Sequence, residues 1–330
     1  MEHPMDHITP QRQRSPELEQ AFAHLAGLAA SADLAGISDP LLQFVAVIRA
    51  LMPRYGDVGA PPNLEGIEVV PVDADGVPAE WVLAPNADPA HRLVYIHGGG
   101  WIGGCPRDYR ALAGTLAMLS RAAVLMVDYR LAPEHRFPAG LDDCVTAFRW
   151  ASRHGPDPHR QGGHEAQVHL SLVGDSAGGN LAAATCLELV AGGARVPDRL
   201  VLIAGTLDNQ SPADRAGIDD QVATAESLAA ATVAYLGPDG DPSDYRVSPV
   251  RASRALLAGF PPTLLQVSAI ETLAYDSRKF AGLLADAGVR VNLSTWPELP
   301  HVWHAFLGLF PDATDALQEI ADFVNASIDR

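Results

Sequence analysis

Short apolar runs bounded by turn residues alternate along the chain with segments whose apolar residues recur at helical spacing. The apolar runs lie at 93–96, 123–127, 168–173, 200–204, 263–268 and 291–296. The segments with helical spacing lie at 109–120, 139–153, 177–191, 277–287 and 313–327. Two shorter runs at 67–72 and 81–84 predict an antiparallel hairpin at the start of the sheet. Strands that alternate with helices predict an α/β fold, with a mostly parallel sheet covered by helices on both faces.

Two parts of the chain depart from this alternation. Residues 1–55 contain two helical patterns before the first strand, and residues 205–252 contain a helix predicted at 224–235. Open α/β sheets bind ligands at the carboxyl ends of their strands. We therefore predict a helical cap over that edge, made of an N-terminal cap segment (1–55) and of an insertion around 205–252 in a catalytic domain that spans 56–330. The alternative is a disordered N-terminal tail and a surface insertion.

The charge balance narrows the class of ligand. The 330 residues include 40 acidic and 23 basic side chains, which gives a formal net charge of -17. Proteins bind nucleic acids and anionic membranes through Lys and Arg, so neither of these is an expected partner. The expected partner is a small neutral or cationic molecule. No uncharged apolar stretch reaches the roughly 18 residues of a membrane span, and residues 1–8 lack a signal-peptide pattern. We expect a cytoplasmic protein without membrane insertion.

Neither a metal centre nor a disulfide framework is expected from the sequence. The three cysteines are isolated, lack CxxC spacing and are expected to pack in the interior: Cys105, Cys144 and Cys186. The polar segment 154–165 is typical of an exposed loop. Its three histidines show no spacing typical of metal ligands: His154, His159 and His164.

The sequence Gly174-Asp-Ser-Ala-Gly178 lies directly between the apolar run 168–173 and the alanine-rich helical pattern 177–191. In a nucleophile elbow a strand turns sharply into a helix, and the two glycines leave room for the turn. The position between strand and helix favours this motif over a plain glycine-rich turn. Ser176 is the predicted nucleophile.

A second glycine-rich sequence, His97-Gly-Gly-Gly-Trp101, follows the strand predicted at 93–96. Consecutive glycines let backbone N–H groups approach a substrate closely. Acyl transfer needs such donors, because they stabilise the oxyanion that forms when a serine attacks a carbonyl group. The N–H of the residue after the nucleophile is the usual second donor in α/β-hydrolases, and that residue is Ala177 here.

A serine nucleophile needs a base, and in α/β-hydrolases a histidine follows the serine and the acid in chain order. Only His301 and His304 follow Ser176. His301 is the preferred base, because it comes just after the strand predicted at 291–296, where a loop would present it at the sheet edge. His304 lies where the final helical region is expected to begin and is more consistent with a buried structural histidine.

The acid is expected after the strand predicted at 263–268, where Glu271 and Asp276 are the candidates. A carboxylate in this place fixes the tautomer of the catalytic histidine and stabilises its imidazolium form. Glu271 is closer to the end of the strand and is preferred. Asp276 precedes the helix predicted from 277 and would serve as its N-cap, so it is the alternative acid.

Together these motifs resemble those of a known family. His97-Gly-Gly-Gly-Trp101, Asp128-Tyr-Arg-Leu-Ala-Pro-Glu-His135 with Phe137-Pro138, and Gly174-Asp-Ser-Ala-Gly-Gly-Asn180 occur in the order and spacing typical of that family. Ser248-Pro249, Glu271-Thr-Leu273 and Pro300-His301 extend the similarity over residues 65–328. The chain resembles the hormone-sensitive lipase-like esterases, bacterial family IV of the α/β-hydrolases.

The resemblance implies an α/β-hydrolase fold with a helical cap, and the hydrolysis of short-chain acyl esters through an acyl-enzyme, without metal or organic cofactor. It implies that Ser176 is the nucleophile and His301 the base. The implied oxyanion hole is formed by the N–H groups of Gly99, Gly100 and Ala177. Structural roles are implied for His97, Glu134 and His135.

The chain departs from the family pattern at two places. The family commonly has Asp where this chain has Glu271, although Glu occurs in one group of members. The segment 204–212 is Ala-Gly-Thr-Leu-Asp-Asn-Gln-Ser-Pro rather than the usual Ser-Pro-aromatic-Leu-Asp pattern. The resemblance therefore does not define the shape of the acyl pocket.

Other functions remain as alternatives. Lactone or aryl-formamide hydrolysis would use the same catalytic groups and differ only in the pocket. A non-catalytic ligand-binding receptor also occurs on this scaffold, but it typically lacks the base, and His301 is present. A dinucleotide-binding oxidoreductase fits less well, because the loop after Ile96 is Gly-Gly-Gly-Trp rather than GxGxxG. The oligomeric state is left open, with a homodimer as one option.

Overall fold

The computed structural model describes residues 14–156, 168–210, 215 and 220–326. The strands within them are β1 Glu68–Asp73, β2 Pro78–Leu83, β3 Asp88–Ile96, β4 Ala122–Val127, β5 His169–Asp175, β6 Arg199–Ile203, β7 Thr263–Ser268 and β8 Val291–Trp296. They form one sheet in the order β1-β2-β4-β3-β5-β6-β7-β8. β2 pairs with both β1 and β4 in antiparallel register, and the other neighbours run parallel. The predicted hairpin and mostly parallel sheet are confirmed.

The described helices are α1 Pro16–Ala30, α2 Pro40–Leu51, α3 Arg110–Ser120, α4 Ala139–Arg153, α5 Ala177–Ala191, α6 Ala225–Leu236, α7 Arg254–Leu257, α8 Ala274–Asp286 and α9 Pro311–Asn325. Of these, α3, α4, α5, α8 and α9 pack against the strands and cover both faces of the sheet. Successive side chains of a strand point to opposite faces. In β3, Val94 and Ile96 belong to the core cluster that includes residues of α4, α5 and α8, whereas Leu93 and Tyr95 belong to the cluster that includes residues of α3 and α9. The predicted α/β fold is confirmed.

Burial explains which strands the sequence pattern predicts well. Every residue of β4 and β7 is buried, so each is a continuous apolar run, as expected for a strand covered on both faces. β3 is different, because its first residues alternate between exposed and partly buried positions and include Asp88 and Pro89. The apolar pattern therefore predicted only the buried half of β3.

Two helix boundaries differ from the predictions, and both affect candidate residues. α8 begins at Ala274, so Asp276 lies inside its first turn and is not the N-cap that the sequence suggested. The final helix begins at Pro311, and His304 lies apart from it in a separate 3-10 turn, Trp303–Ala305. A proline at the first helical position is typical of a helix start, which explains why the helix begins at Pro311 and not at His304.

The helices of the predicted cap begin at well-defined N-caps. The side chains of Ser15, Asp39 and Thr224 accept hydrogen bonds from backbone N–H groups in the first turns of α1, α2 and α6. α2 packs against both α1 and α6. The division of the chain into a cap segment, a cap insertion and a catalytic domain stays a prediction.

Candidate active site

Ser176 lies at the junction of β5 and α5 in a strained backbone conformation. Its φ and ψ are 53° and −120°, and a positive φ is unfavourable for a residue other than glycine. The neighbouring glycines are required for close packing, since a Cβ at Gly178 would lie 2.1 Å from the Ile96 carbonyl oxygen. The Ser176 N–H donates to the Ile203 carbonyl at 2.8 Å, which ties the turn to β6. This geometry matches a nucleophile elbow.

The side chains of Ser176, His301 and Glu271 form a continuous hydrogen-bonded series. Ser176 Oγ lies 2.9 Å from His301 Nε2, and His301 Nδ1 lies 2.6 Å from Glu271 Oε2. Glu271 Oε1 accepts the Ser268 N–H at 2.6 Å, which orients the carboxylate at the end of β7. A base within hydrogen-bond distance of a serine, itself oriented by a carboxylate, is the arrangement that activates serine nucleophiles.

The environment of His301 favours its protonated form. Burial alone would lower the pKa of the imidazole, but the hydrogen bond and negative charge of Glu271 outweigh it. The more distant charges of Asp220 and Asp175 act in the same direction. The pKa of His301 is therefore raised above its usual value of 6.5.

The alternative acid, Asp276, is directed away from His301. It accepts the N–H groups of Leu207 and Asp208, each at 2.8 Å, and forms a buried ion pair with Arg215 at 2.5 Å. Asp276 thus anchors the segment that follows β6. The cation that it pairs with lies far away in sequence, which is why sequence reasoning missed this role.

The alternative base, His304, is also engaged elsewhere. Its ring is fully buried, and Nε2 lies 2.8 Å from Gln266 Oε1. Burial, with a smaller contribution from His301, lowers the pKa of His304 to about 3, so its ring is neutral. These contacts are those of a structural histidine.

The glycine-rich loop after β3 approaches the elbow closely. A Cβ at Gly98 would lie 2.3 Å from Asp175 Oδ2, and one at Gly99 would lie 2.2 Å from the Gly103 carbonyl oxygen. Gly99 and Gly100 both have positive φ, 109° and 62°, which glycine adopts without strain. Both residues line the same cavity as Ser176. Ala177 is the first residue of α5, where backbone N–H groups have no partner inside the helix and favour a negative charge.

His97 contacts and orients the start of this loop. Its Nδ1 donates to the Gly98 carbonyl at 2.8 Å, and its ring stacks on Tyr129 with centroids 4.4 Å apart. Burial lowers the pKa of His97 to about 4, so the ring is neutral. These contacts agree with the structural role that the resemblance implied.

Asp175 is a site residue that the sequence analysis did not single out. Its buried carboxylate accepts the hydroxyls of Tyr95 and Tyr109, each at 3.0 Å, and the Gly98 N–H at 3.1 Å. Burial raises its pKa to about 6, although these hydrogen bonds oppose the shift. Asp175 joins the elbow to the glycine-rich loop. A charged residue at the end of a buried apolar strand was the available sequence signal.

Arg49 is a second residue that the sequence analysis missed. Extending from α2, its guanidinium donates to the Ile102 carbonyl at 2.8 Å and to both oxygens of Glu134 at 2.8 and 2.6 Å. The hydrogen bond from Arg49 lowers the pKa of Glu134 to about 2. Glu134 thus links α2 to the turn after β4, whereas His135 is exposed.

A cavity of about 290 Å³ opens directly above Ser176. Residues of α1, α2 and α6 form much of its wall and are largely apolar: Phe22, Leu25, Ala26, Ala29, Phe44, Val47, Ile48, Leu51, Ser227, Leu228 and Ala231. On the loop before α6, its lining comes from Gln221, Val222 and Ala223. The unusual segment after β6 is instead held by Asp276 and by the Ser248 hydroxyl, which accepts the Asn209 N–H at 2.8 Å.

The remaining candidate groups lie apart from this cavity. Among the described residues, no cluster of three or more His, Cys, Asp or Glu side chains is placed to hold a metal ion. Cys144 and Cys186 are buried free thiols, and Cys105 is partly buried. His154 stacks on Trp150 at the end of α4, whereas His159 and His164 lie outside the described residues. In that described part of the chain, none of the helices is both long and apolar enough for a membrane span.

Known proteins share both this fold and this sequence pattern. A family model described as an alpha/beta hydrolase fold matches residues 93–305. The acetyl-hydrolase of Streptomyces hygroscopicus is 32% identical over 277 residues, which cover 83% of this chain and 86% of the relative. A crystal structure of an esterase from the bacterial hormone-sensitive lipase family has a TM-score of 0.78 and 31% identity, with 95% of this chain and 99% of that chain covered. The chain belongs to the hormone-sensitive lipase-like α/β-hydrolases.

This α/β-hydrolase also has a mycobacterial relative of similar identity. The carboxylesterase/phospholipase LipF of Mycobacterium tuberculosis is 32% identical over 286 residues, covering 84% of this chain and 71% of the relative. The family resemblance and the enzyme class predicted from the sequence are confirmed. The chain is a serine ester hydrolase.

Proposed function

We propose that this hydrolase cleaves uncharged carboxylic esters with Ser176 as nucleophile, His301 as general base and acid, and Glu271 as the carboxylate that orients His301. The observation that carries the proposal is the pair of short contacts on the two His301 nitrogens, 2.9 Å to Ser176 and 2.6 Å to Glu271. Contacts of this length permit proton transfer without a rearrangement of the three side chains.

The proposed reaction has two halves that share one proton carrier. In the first, Ser176 Oγ bonds to the ester carbonyl carbon while its proton moves to His301 Nε2. The oxyanion is stabilised by the N–H groups of Gly99, Gly100 and Ala177, and the alcohol then leaves with the proton from His301. In the second half, His301 removes a proton from water, the resulting hydroxide attacks the acyl-enzyme, and Ser176 regains its proton as the acid departs.

The cavity supports a substrate that is uncharged and modest in size. Its wall is largely apolar, and an unpaired charge buried there would cost several kcal/mol. Its volume of about 290 Å³ is at the lower end of the roughly 300–1,000 Å³ typical of small-molecule pockets. We infer that α1, α2 and α6 act as the cap that encloses a short acyl chain.

A matched series of p-nitrophenyl esters tests this substrate class. We expect kcat/KM for the butyrate to be about 100-fold higher than that for the palmitate and about 100-fold higher than that for the anionic hemisuccinate. The palmitoyl chain is too long for the cavity, and the hemisuccinate places a carboxylate in its apolar interior. A lactone and an aryl formamide complete the panel. Equal kcat/KM for butyrate and hemisuccinate would refute the uncharged-substrate proposal, and faster turnover of the lactone or formamide would favour those alternatives.

The pH dependence of the reaction follows from the environment of His301. Only the neutral imidazole accepts the Ser176 proton, and its raised pKa means that it becomes protonated at a higher pH than a free histidine. We therefore expect kcat/KM for p-nitrophenyl butyrate to fall as the pH decreases through a midpoint above 6.5. The pH profile of kcat/KM measures this midpoint for the free enzyme, and a midpoint below 6.5 would count against the assignment of His301.

A further inference from the structure

Tyr55 connects the N-terminal helices to the backbone of His301. It follows α2 and the 3-10 turn Met52–Arg54. Its hydroxyl donates a hydrogen bond to the His301 carbonyl oxygen at 2.5 Å, across 246 positions of sequence. Its ring packs on Phe306 with centroids 5.3 Å apart.

The loop that carries His301 has a strained backbone. Glu298 and Val302 both have positive φ, 47° and 49°, which is uncommon for any residue other than glycine and rarest for a β-branched one such as Val302. Such conformations persist only where the surrounding structure holds them. The Leu299 N–H donates to Ser268 Oγ at 3.1 Å, and the Tyr55 hydroxyl supplies a second polar contact to the same loop.

The position of Tyr55 is itself defined by the helices of the predicted cap. His24 of α1 contacts the Arg54 carbonyl at 2.9 Å, and α2 leads directly into the turn that carries Tyr55. Tyr55 lines both the cavity above Ser176 and a neighbouring one of about 340 Å³. Its hydroxyl contact joins this lining to the backbone of His301.

We propose that Tyr55 is a positioning residue for catalysis, which holds the strained His301 loop so that both imidazole nitrogens keep their short contacts. The inference rests on the proposed function, in which His301 carries the proton. A small rotation of the His301 backbone would lengthen the contacts to Ser176 and Glu271 together. Burial raises the pKa of Tyr55 well above its usual value, with the charges of Asp220 and Glu271 adding to the shift, so the hydroxyl stays protonated and able to donate.

The test is Tyr55→Phe, which removes the hydroxyl and keeps the ring on Phe306. We expect kcat for p-nitrophenyl butyrate to fall about 10-fold to 100-fold with KM changed by less than about twofold, because small misplacements of catalytic groups affect the chemical step rather than ground-state binding. The matched control is Tyr245→Phe, since Tyr245 is also partly buried but lies against the core outside the site. A wild-type kcat, or a rise in KM alone, would overturn the proposal.

A second readout separates positioning from a general loss of folded protein. Loosening the contact between His301 and Glu271 removes part of what raises the His301 pKa, so the acid-limb midpoint of kcat/KM is expected to move to lower pH in Tyr55→Phe and to stay in place in Tyr245→Phe. This midpoint does not depend on the fraction of folded enzyme. An unchanged midpoint in Tyr55→Phe overturns the positioning role while leaving the proposed function intact. The proposed function itself fails if Ser176→Ala, assayed in parallel, keeps its activity.

Discussion

Ser176→Ala is expected to lower kcat for p-nitrophenyl butyrate by about 10⁴-fold to 10⁶-fold, because it removes the oxygen that bonds to the acyl group in the proposed mechanism. The loss should not arise from unfolding. Alanine is smaller than serine, carries the same Cβ, and experiences the same backbone strain at a φ of 53°. Steady-state kinetics measure the loss of kcat, and the thermal unfolding midpoint measures whether the variant stays folded.

A second serine substitution provides the control for this prediction. Ser243 lies on a turn where it contacts Asp241, away from the cavity, and Ser243→Ala should keep the wild-type kcat. A Ser176→Ala enzyme that retains kcat within about tenfold of wild type would show that another group forms the bond to the substrate, since no nucleophile replacement is that mild.

Glu271→Gln is expected to lower kcat by about 10⁴-fold, since in the proposed mechanism the carboxylate orients His301 and stabilises its charged form. The glutamine keeps the size of the side chain and one oxygen. Its amide nitrogen cannot accept the His301 Nδ1 proton, so the ring is driven toward the unproductive tautomer. The thermal midpoint should change little compared with kcat, because the fold around the site keeps its shape.

Asp276→Asn is the matched control, and it should have the opposite profile. Asp276 forms a buried ion pair with Arg215 and accepts two backbone N–H groups, so the substitution leaves a buried cation without its charge partner. Removing one partner of such a pair costs about 3–5 kcal/mol of folding free energy. We expect a lower thermal midpoint and a kcat within about tenfold of wild type. A large loss of kcat in Asp276→Asn with full activity in Glu271→Gln would reverse the assignment of the acid.

The parts of the site that could be predicted are those with local causes. A sharp turn between a buried strand and a helix needs glycines on both sides of the nucleophile, so Ser176 is visible in five consecutive residues. The order of serine, acid and base along the chain then leaves only two histidines to consider. His301 was preferred over His304 because of its position just after β8, and the structure brings that side chain to Ser176.

The parts that could not be predicted depend on contacts between distant residues. The roles of Glu271 and Asp276 depend on where α8 begins and on Arg215, which lies 61 positions before Asp276. Tyr95 and Tyr109 reach Asp175 over 80 and 66 positions. Such pairs leave no periodic or local pattern in a single sequence, and only the packing of the folded chain brings them together.

Covalent labelling with diethyl p-nitrophenyl phosphate tests most directly whether Ser176 is the nucleophile. Attack by an activated serine oxygen forms an O–P bond and releases p-nitrophenolate, which can be counted by absorbance. We expect one equivalent of p-nitrophenolate per enzyme chain, a diethylphosphoryl mass increment confined to the peptide that contains Ser176, and no labelling of Ser176→Ala. A label on any other residue, or labelling of Ser176→Ala at the wild-type rate, would contradict the assignment of Ser176.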